Sequence, residues 1–199
     1  MSSQHWDAMY RSRDQVFSGN PNGVLVTEVT DLPPGQALDV GCGEGADAVW
    51  LARCGWQVTA VDISEVALRR ASTATDVQGR VVWTRADLLT VPPPAGAFDL
   101  VSVQYFPLKR QPGHAALRGL LAAVAPGGTL LFATHALGDL IPRQEDGFDP
   151  ADYYQPDDIA QLLGPAWNMV TNETRPRTVP ALAGTHHTRD SVLRARRLP

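Results

Sequence analysis

Short apolar runs recur along the chain at Ala37 to Val40, Val58 to Val61, Arg80 to Thr84, Phe98 to Val103 and Thr129 to Thr134. Runs this short, rich in Val, Leu and Thr and bounded by polar or glycine positions, predict buried strands. Segments with helical punctuation lie between them. Ser64 can accept a backbone N–H and cap a helix running to Ala71, and Gly55 closes a helix over Ala46 to Cys54. Pro156 opens a helix over Asp157 to Leu163 that Gly164 ends, and His114 opens another on the surface. Pro126-Gly127-Gly128 predicts a turn just before the fifth run. Strands alternating with helices predict an α/β fold, a sheet with helices on both faces.

The alternation stops in the last third. Trp167 to Thr174 and Ser191 to Arg196 both read as extended, with a loop between them. A parallel pair would need a crossover helix, so these two are expected to form an antiparallel hairpin at one end of the sheet. Two segments carry no regular signal, Met1 to Pro21 and Ala136 to Gln155. The second is long for a structureless loop in a compact domain, which suggests a lid or substrate wall.

Composition narrows the class. A chain of 199 residues with 44% hydrophobic side chains can bury one core, and 19% charged is below the usual ~25%. Disordered and collagen-like proteins are excluded. No run approaches the ~18 apolar residues of a membrane helix, and the first twenty residues show no apolar signal core. A net charge of −4 offers no global attraction to nucleic acid or anionic lipid. Cys42 and Cys54 are too few for a disulfide framework, and a helix between them would hold them apart. The expectation is a reduced cytoplasmic protein.

The strongest chemical signal is Leu38-Asp39-Val40-Gly41-Cys42-Gly43-Glu44-Gly45-Ala46. A strand ends at Val40, glycines permit positive φ and close backbone approach, and a helix starts at once. Such a turn cradles the polar part of an adenosine-containing cofactor. Gly41, Gly43 and Ala46 also satisfy the dinucleotide fingerprint, so the loop alone leaves two cofactors open. Asp62 ends the second strand, where a carboxylate accepts from ribose hydroxyls. Asp87 follows the third strand, where it can face an adenine amino group, or serve as a turn residue. Asp39, inside a buried strand end, needs backbone donors or a cationic part of the ligand.

At these residues the chain resembles a class I S-adenosylmethionine-dependent methyltransferase, through LDVGCGEG (38–45), VTAVDIS (58–64), ADLL (86–89), FDLVSVQ (98–104) and APGGTLLFATH (125–135). The resemblance implies a Rossmann-like seven-stranded sheet, order 3-2-1-4-5-7-6, with the last strand antiparallel. It implies S-adenosylmethionine as cofactor, with Gly41 and Gly43 toward its methionine part and Asp62 toward the ribose. Asp87 with Leu88 would meet adenine, Gln104 would stand near the transferred methyl, and Asp39, Cys42, Ile63 and Ala86 belong to the same expected cofactor set. The opening segment Trp6 to Tyr10 is similar to small bacterial members related to the tellurite-resistance and thiopurine methyltransferases, in which it closes over the cofactor. Trp6 and Tyr10 therefore join the expected cofactor set. One domain spans 1–199, made of a covering segment (1–34), a cofactor core (35–135), a lid (136–155), and a helix with the terminal hairpin (156–199).

Methyl transfer chiefly requires alignment, and a hydroxyl acceptor also needs its proton removed. His135, at the end of the fifth strand, is the candidate base. Tyr105, Phe106 and His186 are candidate acceptor contacts, and His187 lies close to the same rim. His5 is expected in a mobile terminus. Asp139, Glu145, Asp146, Asp149 and Asp152 read as solvated loop carboxylates, and no metal is expected. The sequence Gln104-Tyr105-Phe106-Pro107 departs from the Asn/Asp-Pro-Pro-Tyr of DNA amino-methylating enzymes. Arg175, Arg177, Arg189, Arg194, Arg196 and Arg197 read as a solvated sheet edge. The expected activity is O-methylation of a small molecule bearing a sugar, phenol or polyketide-type hydroxyl. Sulfur or another chalcogen is the alternative acceptor. A nicotinamide-dependent oxidoreductase and a non-catalytic cofactor-binding protein are the rival classes. The partners expected are a small-molecule acceptor and, at the hairpin edge, a second copy of the chain.

Overall fold

The computed structural model describes residues 2–140, 149–179 and 187–199. Seven strands form one sheet: β1 (Gln36–Val40), β2 (Gln57–Asp62), β3 (Val81–Arg85), β4 (Phe98–Gln104), β5 (Val124–His135), β6 (Trp167–Pro176) and β7 (Arg189–Arg197). Their order is β3-β2-β1-β4-β5-β7-β6. β7 is antiparallel to both β5 and β6, and the remaining pairs are parallel. This is the seven-stranded order, with one antiparallel strand, expected from the sequence. Its chemistry end is set by the parallel strands, whose carboxyl ends lie together.

The apolar runs are near-continuous because the central strands are covered on both faces. Alternation then sorts side chains between two cores. Leu38, Val40, Leu130 and Phe132 face one core with Leu117 and Leu120. Ala37, Leu131 and Ala133 face the other with Leu51 and Trp56.

Helices α1 (Ser3–Arg11), α2 (Gly23–Val29), α3 (Ala46–Arg53), α4 (Glu65–Ala71), α5 (Ala115–Ala123) and α6 (Pro156–Leu162) complete the fold. Ser64 caps α4 through the Ala67 amide, as expected. Gln155 and Asp158 form a capping box at α6, with Pro156 at its first turn. His114 stands at the start of α5 in a left-handed conformation, its ring hydrogen-bonded to the Tyr154 hydroxyl. Among the described residues, no helix is long and apolar enough to cross a membrane. Cys42 is buried and Cys54 exposed, and both are free.

The structure corrects the sequence at four places. The segment Met1 to Pro21 contains α1, capped by Ser2, so His5 sits in a helix rather than a mobile terminus. α1 is stable because it is docked: Ser64 donates its hydroxyl to the buried Asp7 at 2.6 Å. α2, which has little polar patterning to announce it, buries Val24, Leu25 and Val29 against the sheet. Pro126-Gly127-Gly128 does not end the strand. Gly127 takes φ +78 within β5, and the β4 pairing shifts register between Phe98 and Leu100. Finally, the C-terminal arginines are only in part a solvated edge: Arg189 and Arg196 are exposed, but Arg175, Arg177, Arg194 and Arg197 are half-buried. Arg175 pairs with the buried Glu28 of α2 at 2.7 Å, Arg194 approaches the same carboxylate at 3.6 Å, and Arg197 donates to the Val124 carbonyl. A buried carboxylate needs cations nearby, and α2 supplies one that the local sequence of β6 and β7 does not reveal.

Candidate active site

The β1–α3 connection holds three glycines at positive φ: Gly41 (+69), Gly43 (+53) and Gly45 (+86). A Cβ at Gly41 would stand 2.5 Å from the Phe106 ring, and one at Gly43 would stand 2.9 Å from the Tyr10 hydroxyl. The loop is therefore glycine both for conformation and for close approach. Asp62 ties it to the next strand: Oδ2 accepts from the Gly43 amide at 2.9 Å and Oδ1 from the Ser64 amide at 2.8 Å.

Two further carboxylates stand on the same floor. Asp47, in the first turn of α3, accepts from the Asn22 amide at 2.7 Å and from Asn22 Nδ2 at 2.8 Å. Asp39 is 2% exposed; it takes a hydrogen bond from the Ala48 amide, yet Oδ2 has no hydrogen-bond partner among the described residues. Burial pushes the Asp39 carboxyl well above the ordinary carboxylate range, and the negative charges of Asp47 and Asp62 push it further. Burial raises Asp47 and Asp62 as well, opposed by their backbone hydrogen bonds.

The N-terminal segment covers this floor through one ion-paired anchor. Arg70 of α4 donates to Glu44 at 2.8 Å and to the carbonyls of Tyr10 and Arg13. Glu44 in turn accepts from the amides of Val16 and Phe17. Tyr10, Trp6 and Phe17 thereby overhang the glycine loop. Burial among Asp62, Cys42 and Glu44 drives the Tyr10 phenol strongly upward, so it stays protonated.

A cavity of about 430 Å³ runs from this floor to the ends of β4 and β5. Its far wall is cationic and aromatic. His135 Nδ1 lies 3.0 Å from an Arg177 guanidinium nitrogen, and the same nitrogen donates to Asp190 at 2.7 Å. His187 stacks on His135 with ring centroids 3.7 Å apart, and Tyr105, at φ +53, lies 4.5 Å from the same ring. Burial pulls the His135 imidazole down to about 3, and His187 and Arg177 add to the shift. Tyr105 is raised by burial and by the Asp190 charge. A second cavity of about 110 Å³ shares Tyr105, Phe106, Pro107 and His135 with the first and continues to Tyr153.

The structure gathers most of the expected site residues around the main cavity: Trp6, Tyr10, Asp39, Gly41, Cys42, Gly43, Asp62, Ile63, Gln104, Tyr105, Phe106 and His135. Ala86, Asp87 and Leu88 do not line it. Asp87 closes the turn after β3 by accepting from the Leu89 amide at 3.0 Å, and Leu88 packs into the core. His186, Glu145 and Asp146 lie outside the described residues. Asp139 is taken up by the amides of Thr188 and Arg189, and Asp149 caps the Ala151 amide. Sequence reasoning missed Asp47, Arg177 and Asp190. Asp47 was visible as an acid in the first turn after the glycine loop, while Arg177 was concealed among its neighbouring arginines.

Residues 37–128 match the family model described as a methyltransferase domain. Over 122 residues the chain is 37% identical to an uncharacterized methyltransferase of Mycobacterium tuberculosis, a match covering 61% of each protein. The chain thus spans about three fifths of the length of that relative. It is 33% identical over 121 residues to a malonyl-[acyl-carrier protein] O-methyltransferase of Pseudescherichia vulneris, covering 59% of this chain and 45% of that protein. The fold is similar to that of an N-methyltransferase, NodS of Bradyrhizobium japonicum, solved in complex with S-adenosyl-L-homocysteine. The TM-score is 0.71 at 20% identity, covering 98% of this chain and 97% of that one.

Proposed function

We propose that the chain is a class I S-adenosylmethionine-dependent methyltransferase and that it methylates an oxygen of a small molecule held between the glycine loop and the His135 wall. The observation that carries the reading is the unpartnered, buried Asp39 carboxylate oxygen on a floor shared with Asp47 and Asp62. That carboxyl-rich floor fits a ligand with an ammonium and a sulfonium. It fits a nicotinamide dinucleotide poorly, because the pyrophosphate would be set among Asp39, Asp47, Asp62 and Glu44.

S-adenosylmethionine, when bound, supplies a methyl already activated on a positively charged sulfur. Asp39 and Asp47 would face its cationic part, and Asp62, held by two backbone amides, would keep lone pairs for ribose hydroxyls. Tyr10, Trp6 and Phe17 exclude water from above, anchored by the Glu44–Arg70 pair. Gln104 and the positive-φ Tyr105 fix where the acceptor can lie relative to the loop. Alignment and desolvation supply most of the acceleration such a displacement needs.

A cavity of this size suits a metabolite rather than a polymer. Arg175 and Arg194, which would otherwise offer a phosphate-binding face, are committed to Glu28. Hydrogen-bonding groups on the acceptor wall, and the O-methyltransferase among the relatives, favour oxygen over sulfur.

Calorimetric titration with S-adenosylhomocysteine and NADH, followed by labelled-methyl transfer into a panel of hydroxylated metabolites, tests the reading. Binding of the first ligand alone, with label in an O-methyl product, is the expected result. NADH binding, or label in thiols but not hydroxyls, overturns it.

A further inference from the structure

We infer that Arg177, held in place by Asp190, fixes His135 as a neutral hydrogen-bond donor rather than a base, so that the acceptor is a phenol that reacts as its phenolate. The inference rests on the function proposed above and names its substrate class.

The Arg177 guanidinium has donors and no acceptor. With its nitrogen 3.0 Å from His135 Nδ1, that ring atom must offer its lone pair, so the ring proton resides on Nε2. A ring whose Nδ1 is engaged and whose Nε2 is protonated has no lone pair left for an incoming hydroxyl proton. It can only donate. Protonating it would set an imidazolium against Arg177, and burial already disfavours that state. The charged and titratable groups facing the ring come from every neighbouring element. Tyr105 follows β4, Asp139 lies in the turn after β5, Arg177 follows β6, His187 precedes β7, and Asp190 is the second residue of β7.

Two other groups on this wall, Asp190 and Tyr105, do not replace His135 as a base. Asp190 accepts from Arg177 and from the Tyr105 hydroxyl, and Tyr105 is itself held protonated. The His135 Nε2–H is therefore a donor at the cavity wall, beside the positive charge of the Arg177 guanidinium. It stabilises an anionic oxygen and leaves a neutral alcohol with its proton. The second cavity, reached past His135, is walled by Phe106, Pro107, Leu140, Pro150 and Tyr153, a lining that suits a flat aromatic ring. In the step itself the phenolate oxygen forms the new C–O bond as the carbon–sulfur bond of the sulfonium donor breaks. The bonding pair leaves with sulfur, and the phenolic proton has already gone to solvent.

Two readouts test this on the full-length protein. In nitrogen-15 histidine-labelled protein saturated with S-adenosylhomocysteine, His135 should show an unprotonated Nδ1 and a protonated Nε2, unchanged from about pH 5 to 8. The reverse tautomer, or titration inside that range, overturns the donor assignment. The double substitution Arg177→Met, Asp190→Asn removes guanidinium and carboxylate together, so no lone buried charge is left. Titration of His135 should then move toward its ordinary range, and no movement counts against Arg177 as the positioning residue. The second readout is turnover of para-nitrophenol, para-cyanophenol and para-cresol across pH. kcat/KM should rise through the ionisation of each phenol in turn. His135→Gln, which retains a donor, should lose about tenfold or less, whereas removing a general base costs about 10²–10⁴-fold. A common enzyme ionisation near pH 6–7 for all three phenols, or a loss in the larger range, overturns the inference. If no phenol is methylated although cofactor binds and other hydroxyls are labelled, the phenol class fails while oxygen methylation stands, and the imidazole spectrum still decides the tautomer.

Discussion

At the glycine-loop end of the cavity the charges are carboxylates, each held by backbone amides from neighbouring turns. At the β4–β5 end stand the Arg177–Asp190 ion pair, two stacked imidazoles and a phenol, gathered from four separate segments. The first end is local in sequence: Asp39, Gly41, Gly43 and Asp47 fall in one strand–loop–helix unit, and Asp62 closes the next strand. The second exists only once β7 is inserted between β5 and β6. The difference teaches where each specificity comes from. A cofactor shared by many proteins is met by a compact, repeatable unit. An acceptor particular to one protein is met by side chains that only the complete sheet brings together.

If the two ends are separable, damage to one should leave the other intact. The largest effect is expected from Gly41→Val, because its side chain would strike the Phe106 ring at a position held at φ +69. Cofactor affinity measured by calorimetry should fall by more than about 100-fold, while the His135 spectrum keeps its tautomer. Asp62→Ala comes next. It removes a buried acceptor of two amides and should cost ~1–3 kcal/mol of cofactor binding, with phenol pH profiles unchanged in shape. Arg70→Met should act less strongly, since it releases the covering segment without touching the floor. Amide exchange over α1 should accelerate, and cofactor affinity should drop by roughly threefold to tenfold.

The smallest signal is a slope. In the folded chain the His135 imidazole protonates at about 3, against 6.5 when unfolded, so the unfolded state binds the extra proton between those values. This group therefore withdraws stability as pH falls below 6.5. Asp39, Asp47 and Asp62 are raised in the fold and act in the opposite sense. The melting-temperature difference between wild type and His135→Gln isolates the histidine. Wild type should lose ground to the variant by about a few degrees on going from pH 7 to pH 5. A difference independent of pH would place an ordinary, solvated histidine at position 135.

What the sequence made legible follows the same division. Strand order, the antiparallel β7 and the caps at Ser64 and Pro156 were readable because each rests on short-range pattern or on motifs in fixed order. α1 was not, since its stability comes from contacts of Asp7 and Tyr10 with Ser64 and Arg70 of the α4 region, about sixty positions away. Arg177 and Arg175 are two residues apart in one arginine-rich stretch, yet one turns into the cavity and the other onto Glu28. No local feature separates them; the partner of each is set by which element packs beside it. Asp87 shows the converse. A motif suggested a cofactor contact, and the structure adds a turn role that the motif did not announce, one carboxylate oxygen accepting from the Leu89 amide.

The central claim is that the negative floor at Asp39, Asp47 and Asp62 is a cation site for the sulfonium cofactor. Its most direct test is calorimetric titration of the folded protein with S-adenosylmethionine, in wild type and in Asp39→Asn. The account predicts one site per chain in wild type and markedly weaker binding in the variant, with a larger loss for the sulfonium than for S-adenosylhomocysteine. Equal affinity of both proteins for both ligands would contradict it.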